Sequence, residues 1–412
     1  MNMNRRQFFT ATARAGAGAA VAATSLFPVS VLAADEILVG GLHDETGGLD
    51  FAGAPMQQML RFTVDEINQK GGLLGRKLRA VTADTGSNMQ LYQSLAQQIA
   101  LRDKVNVVQG GITSASREVI RPVLRRFNTL YFYNTLYEGG VCDRNCFCTG
   151  TTPAQAVEPI IDYAMKKWGN KTYVLAADYN YGQITAKWIA HYVEERKGTV
   201  QATNFFPLDV SDFASTIAKI QDAAPNFVCA ALVGGAHISF FRQWAASGMN
   251  KKIPLTSTTF GVGNEHLALS AAEGDGILIA GNYSPEIDTP ANKNFLAAYK
   301  KRYGDANPVH ELAVSQYQGI MLWAEAVRKA GSVDHDALIK VLETGLKIEG
   351  PAGTVTVEPK THHCALDIHL MVVKDQKLTI IDTAKQRPPA DTAQYCDLQK
   401  NPDDNKQYEV KI

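Results

Sequence analysis

Six cysteines, one pair of adjacent histidines and a series of hydroxyl side chains that follow apolar runs are the residues of this chain with chemistry to offer. Three cysteines crowd into Cys142-Asp143-Arg144-Asn145-Cys146-Phe147-Cys148. Three thiolates suit zinc, but zinc ligands are usually spaced Cys-x2-Cys and no fourth ligand is close in sequence, so a local disulfide is expected instead. Cys142–Cys148 is the expected pair, Cys142–Cys146 is the alternative, and Cys364 with Cys396 is expected to form a second bridge. Cys229 lies in Phe227-Val228-Cys229-Ala230-Ala231-Leu232-Val233 and is expected to be a buried strand residue. His362-His363 has only Cys364 beside it as a further ligand, so no metal is expected, and nothing implies a cofactor.

The hydroxyls are placed more suggestively. After the apolar run 105–109 come Gly110-Gly111-Ile112-Thr113-Ser114, where a helix is expected to begin. Glycines let the backbone approach a ligand closely, and a helix start offers free N–H groups at a positive dipole end. Ser114 is placed both to cap that helix and to contact a ligand. Tyr179 and Tyr181 follow the run 172–176 and are placed to wall a small pocket with ring faces and hydroxyls. The sequence has no Gly-x-Ser-x-Gly elbow, His-Glu-x-x-His helix or Gly-x4-Gly-Lys-Ser/Thr loop. Dispersed hydroxyls of this kind suit binding better than bond-breaking, and no enzyme is expected.

Alternating strands and helices must position these residues. Apolar periodicity predicts strands at 36–40, 79–83, 105–109 and 129–133, with helices at 53–70, 91–102 and 114–127 between them. The pattern restarts after the cysteine loop, with strands at 172–176, 199–206, 227–233, 254–258 and 276–281 and helices at 182–197, 214–223 and 237–247. Helices follow at 291–303, 312–330 and 337–344, and antiparallel strands at 354–357, 366–373 and 377–383 close the chain. This is an α/β chain of two doubly wound parallel-sheet units. Its order fits a chain that crosses between two lobes more than once, near 149–153, 281–285 and 345–351.

At the amino end, Arg5-Arg6 followed by Phe8-Phe9, an Ala/Gly-rich stretch and Val31-Leu32-Ala33 resemble a twin-arginine export signal with cleavage after Ala33. Residues 1–33 are expected to be removed, leaving a chain that does not span a membrane and works in the periplasm. The full chain has 41 basic and 41 acidic residues, and losing Arg5, Arg6 and Arg14 with no acid leaves a net charge of −3. That balance is not a nucleic-acid footprint.

Five stretches then carry a resemblance across essentially the whole mature chain. They are Asp65-Glu66-Ile67-Asn68-Gln69-Lys70-Gly71-Gly72-Leu73-Leu74-Gly75-Arg76, Gly110-Gly111-Ile112-Thr113-Ser114, Tyr133-Asn134-Thr135-Leu136-Tyr137-Glu138-Gly139, Asp178-Tyr179-Asn180-Tyr181 and Ile287-Asp288-Thr289-Pro290. The chain resembles the type I periplasmic solute-binding proteins of ABC importers, and among them the branched-chain amino acid, amide and urea branch. The resemblance implies two lobes joined by three crossovers, with 35–150 plus 284–346 as lobe 1 and 151–283 plus 347–412 as lobe 2. A small molecule would bind in the cleft between them, the lobes would close about a hinge, and a membrane permease would be the partner.

The family's matching serine supports Ser114 as a ligand contact. Tyr133 and Thr135 match positions that hold a carboxylate or amide group, and Thr258 and Thr259 match another contacting segment. Tyr137 and Glu138 are expected to position their loop. Asn134 departs from the proline of amide sensors. Where amino acid binders carry an acid for the α-amine, Phe260-Gly261-Val262-Gly263-Asn264 intervene before Glu265, which favours a ligand without an α-ammonium. Short amides or urea therefore lead, branched-chain amino acids come next, and an aromatic carboxylate or a sensory role with a periplasmic receptor are the alternatives.

Overall fold

The computed structural model describes residues 36–304 and 308–411. The expected export signal, 1–33, lies outside the described residues. The chain begins with β1 (Ile37–His43), α1 (Asp50–Gln69), β2 (Leu78–Asp84), α2 (Met89–Leu101), β3 (Val107–Gly110), α3 (Ser114–Arg126) and β4 (Leu130–Tyr133). The cysteine loop folds as two short strands, β5 (Val141–Asp143) and β6 (Cys146–Cys148). A second series follows: α4 (Pro153–Trp168), β7 (Lys171–Ala177), α5 (Asn180–Glu195), β8 (Thr199–Phe206), α6 (Ala214–Ala223), β9 (Phe227–Ala231), α7 (Gly235–Ala246), β10 (Leu255–Ser257), α8 (Ala271–Gly274) and β11 (Leu278–Gly281). The chain closes with α9 (Pro290–Tyr303), α10 (Glu311–Ala330), α11 (His335–Leu342), β12 (Lys347–Gly350), β13 (Gly353–Glu358), β14 (His363–Lys374), β15 (Lys377–Arg387), α12 (Ala390–Ala393) and β16 (Asn405–Gln407).

The strand order explains where a ligand can go. One half of the main sheet runs β2-β1-β3-β4-β6 and the other β8-β7-β9-β10-β11, so each half repeats the same doubly wound order. Pairing is parallel within each half. Strands such as β4 and β9 are buried at every residue, as parallel strands covered on both faces must be. In the first half, α1, α10 and α11 pack one apolar cluster around Leu60, Trp323 and Leu342, and α2 and α3 pack another around Tyr92 and Ile120. In the second half, α6 and α7 cover one face through Phe213 and Phe240, and α4 and α5 the other through Ile161 and Ile189.

The long strand β14 joins the halves into one 14-stranded sheet. Its start lies parallel to β6 at His363 and Cys148, and its later residues run antiparallel to β11. The helix α4 was not expected, although Val157, Ile160, Ile161 and Ala164 bury one face at helical spacing. It carries Pro159 in its interior, and proline usually signals a break. Its start is fixed instead by Pro153 at the first turn and by Gln155, whose side chain accepts from the Thr152 N–H at 3.0 Å.

The disulfide expectations are corrected. Cys142 pairs with Cys396, 254 residues later, while Cys148, Cys146 and Cys364 are free and buried. The reason is that β5 and β6 belong to different sheets. Cys142 lies on β5, opposite Lys406 of β16, so it faces the returning carboxyl-terminal segment. Cys148 sits inside the main sheet between β4 and β14, and Cys364 packs in the core beside Leu366. Cys229 is a free, buried residue of β9. The two histidines diverge. His362 stacks on Phe147 with ring centroids 4.1 Å apart, and His363 contacts Tyr137 and the Thr361 carbonyl. Among the described residues, no group of three His, Cys, Asp or Glu is arranged to hold a metal.

Candidate functional site

In each half the strand order reverses direction beside the central strand, between β1 and β3 and between β7 and β9. Loops leaving the carboxyl ends of strands part there and open a crevice. A cleft at these strand ends is lined from both halves, and its atom-free space is about 530 Å³ with the mouth included. Leu49, Phe51 and Ala52 come from the loop after β1 and the first turn of α1, and Ile112, Thr113 and Ser114 from the end of β3. Tyr133 ends β4, and Thr135 and Leu136 follow it. Tyr179 and Tyr181 follow β7, Val233, Gly234 and His237 follow β9, and Thr259, Val262 and Glu265 follow β10. Leu312 adds the start of α10.

Six of the seven expected contact residues therefore meet in one cleft: Ser114, Tyr133, Thr135, Tyr179, Tyr181 and Thr259. Thr258 is not in the lining; its hydroxyl instead pairs with the Tyr181 hydroxyl at 2.9 Å. Val233, Gly234 and His237 line the cleft without having been expected there, although they follow an apolar strand just as Ser114 does, and so do Leu49 and Phe51 behind the Thr46-Gly47-Gly48 loop.

The hydroxyls are already engaged. Ser114 Oγ donates to Glu138 Oε2. Tyr133 Oη donates to the Ile112 carbonyl at 2.8 Å, Thr135 Oγ1 to the Gly111 carbonyl at 3.1 Å, and Thr259 Oγ1 to the Leu232 carbonyl at 2.6 Å. Each hydroxyl has one proton, so these groups turn lone pairs toward a ligand and favour one that donates. The complementary donors are backbone groups. Helices α3, α5 and α7 all begin at the cleft with positive dipole ends, and α5 starts with no side-chain cap, which leaves its first-turn N–H groups for an anion, whereas in α7 the Ala236 N–H donates to the Leu208 carbonyl at 3.1 Å and the His237 N–H to the Gly234 carbonyl at 3.2 Å. Gly111 makes the β3 turn possible. Its φ is +80°, and a Cβ there would lie 2.8 Å from Tyr131 Oη.

Glu265 is the acid of the cleft. The loop Phe260–Asn264 doubles back through Gly261 at φ +88° and Asn264 at φ +71°, returning Glu265 to the wall. Glu265 Oε2 accepts from the Gly261 N–H at 2.8 Å and the Gly263 N–H at 3.0 Å. Burial pushes its carboxyl up to about 7, and those hydrogen bonds only partly oppose the rise. Beside it, His237 approaches Thr259 Oγ1 at 3.1 Å, and burial holds its imidazole down to about 3, so it is neutral. No Lys or Arg lines the cleft among the described residues. The remaining walls are apolar, from Leu49, Phe51, Ile112, Leu136, Val233, Val262 and Leu312.

Known proteins share this fold. The family described as periplasmic binding protein domain matches residues 37–400. A Leu/Ile/Val-binding protein homolog of Brucella abortus is 23% identical over 330 residues, covering 75% of this chain and 81% of its own length. A solute-binding protein of an ABC transporter from Rhodopseudomonas palustris, solved with p-hydroxybenzoic acid, superposes with a TM-score of 0.79 at 23% identity. The match covers 87% of this chain and 100% of that one. The branched-chain amino acid transporter substrate-binding protein LivJ of Streptococcus pneumoniae, solved with isoleucine, superposes with a TM-score of 0.74 at 21% identity over 86% of this chain and 100% of its own.

Proposed function

We propose that this chain, which belongs to the periplasmic binding protein family, captures an amino acid with an apolar side chain between the halves of its sheet and hands it to an ABC permease in the inner membrane. The observation that carries this reading is Glu265, a half-buried carboxyl in the same cleft as three helix amino termini. A zwitterion satisfies both ends. Its carboxylate accepts from the N–H groups of the helix starts, while its ammonium donates to Glu265 and to the lone pairs of the engaged hydroxyls. The apolar walls then take the side chain.

Short amides and urea, which the five residues before Glu265 favoured, use the acceptors but leave the apolar walls wet and Glu265 without a charged partner. An aromatic carboxylate is the second reading. It is favoured by Tyr179 and Tyr181, whose rings stand 6.2 Å apart at the cleft wall, and by the p-hydroxybenzoic acid held by the Rhodopseudomonas relative. A thermal-shift panel of isoleucine, leucine, 4-hydroxybenzoate, acetamide and urea at pH 8 tests the ranking. Ligand at a hundred times its Kd adds about 2.7 kcal/mol of stability. A rise with isoleucine or leucine is expected, a rise with 4-hydroxybenzoate alone would favour the second reading, and a rise with acetamide or urea alone would sink both.

The lobe division, 35–150 plus 284–346 against 151–283 plus 347–412, belongs to the same proposal. Hinge closure on isoleucine is expected to lower the radius of gyration in solution scattering, and an unchanged radius would argue against it. Delivery to the periplasm by the twin-arginine route is tested by replacing Arg5-Arg6 with Lys-Lys, which should leave the chain in the cytoplasmic fraction.

A further inference from the structure

We propose that Gln407, in the last strand of the chain, is a positioning residue for Ser114, and that the carboxyl-terminal segment holds one wall of the cleft in its binding geometry. This inference rests on the reading of the cleft as the ligand site. Ser114 Oγ donates to Glu138 Oε2, and Glu138 is itself fully buried. A buried carboxylate needs compensating charge and hydrogen bonds to stay fixed. Arg117, buried to the same degree, supplies the charge, with Nη2 3.0 Å from Glu138 Oε1. The side-chain amide of Gln407 then engages both groups at once. Its Nε2 donates to Glu138 Oε1, and its Oε1 accepts from Arg117 Nη2 at 2.9 Å.

The same network fixes a second lining residue. The Arg117 guanidinium lies 5.0 Å from the ring centre of Tyr133 and 4.5 Å from that of Tyr137. Moving Arg117 would therefore move the Tyr133 ring in the cleft wall as well as the acceptor of Ser114.

Gln407 reaches this place from 269 residues beyond Glu138 because the tail is tied down along its length. The Cys142–Cys396 disulfide anchors it, and β16 pairs with β5 so that Gln407 lies opposite Val141. Arg121 and Arg125 donate to the carbonyls of Asn405 at 2.7 Å and Asp404 at 3.0 Å. Past Gln407 the tail passes to the other half of the molecule. Val410 buries among Ile161 and Ile189, and Glu409 pairs with Lys187 of α5 at 2.7 Å. Trp188 of α5 donates to the Glu138 carbonyl at 3.0 Å, closing the circuit. With Glu138 held this way, the Ser114 hydroxyl keeps its proton directed at the carboxylate and its lone pairs face the ligand.

The test compares Gln407→Leu with Lys406→Ala, an exposed change on the same strand, in the full mature chain. Amide hydrogen exchange is measured without ligand, and isoleucine affinity by calorimetry. Gln407→Leu is expected to speed exchange over residues 112–118 by roughly threefold or more, with exchange in α11 unchanged and Lys406→Ala silent. It is also expected to weaken isoleucine binding about tenfold, the scale of one lost buried hydrogen bond. In a Ser114→Ala background, Gln407→Leu should cost clearly less affinity than in the wild type, keeping only the share that passes through Arg117 and Tyr133, whereas a general loss of structure would add in full. Unchanged exchange at 112–118, or fully additive losses, overturns the proposal. If the wild-type chain binds no isoleucine, the amino acid reading fails by itself, and the exchange comparison alone decides whether Gln407 positions Ser114.

Discussion

Glu265 concentrates the chemistry of the cleft in one titratable group. Burial pushes its carboxyl up to about 7, so it is largely neutral at pH 6 and largely charged at pH 8. An ammonium ligand binds the charged form, and isoleucine affinity is therefore expected to rise between pH 6 and pH 8. Glu265→Gln should abolish that rise and lower affinity at pH 8 by about tenfold or more, as calorimetry across the range will read. The same shift has a stability sign. From its ordinary value of 4.5 up to about 7, Glu265 holds its proton in the folded chain and not in the unfolded one. The folded state then binds more protons, so the stability of the ligand-free protein falls as pH rises through that window. Glu311, pushed up to about 8 chiefly by burial, acts the same way over a wider window. Urea denaturation should give Glu265→Gln a shallower fall than wild type between pH 5 and 8, and an identical fall would contradict the assignment. Of these groups the sequence pointed to Ser114 and the two tyrosines, because each follows an apolar strand. It set Glu265 aside because five residues intervene, and only the turn at Gly261 and Asn264 brings the carboxyl back.

At the scale of elements, the decisive piece is the β3–α3 connection. Gly110-Gly111 ends a fully buried strand, and Thr113 caps the helix by accepting from the Ser116 N–H, so the first turn of α3 faces the cleft. Gly111→Ala is expected to destabilise the fold by about 1–3 kcal/mol, since it places a side chain at positive φ against Tyr131, and to weaken isoleucine binding together with stability. Chemical denaturation measures the first effect, and wild-type stability in the variant would remove the strain argument. Most elements were legible because buried parallel strands read as continuous apolar runs and the helices between them keep the 3.6-residue period. The exceptions have local causes. The helix α4 carries Pro159, and β5 and β6 are three residues each, too short for any period to register.

At the scale of the whole molecule, the carboxyl-terminal segment ties β5 of one half to α5 of the other. Its anchor is the Cys142–Cys396 disulfide, which closes a very long loop. Replacing both cysteines by serine is expected to cost about 2–4 kcal/mol of stability and to loosen the tail. Denaturation of the oxidised wild type, the reduced wild type and the double variant should give one stable and two weakened proteins. Equal stability of all three would show that β16 docks without the bridge.

The amino-acid sequence by itself determined the α/β class, the doubly wound order and the strand ends from which the cleft is built, because burial on both sheet faces and the turn at each strand end leave local marks in residue type and spacing. Only the tertiary structure decided which cysteines pair, that Glu265 and His237 stand in the cleft with Ser114, and that Gln407 braces Ser114 from behind. Those partners are brought together by strand order and by a returning tail, across 254 residues for the disulfide and 269 from Glu138 to Gln407, and no local preference of the chain encodes a distance of that kind.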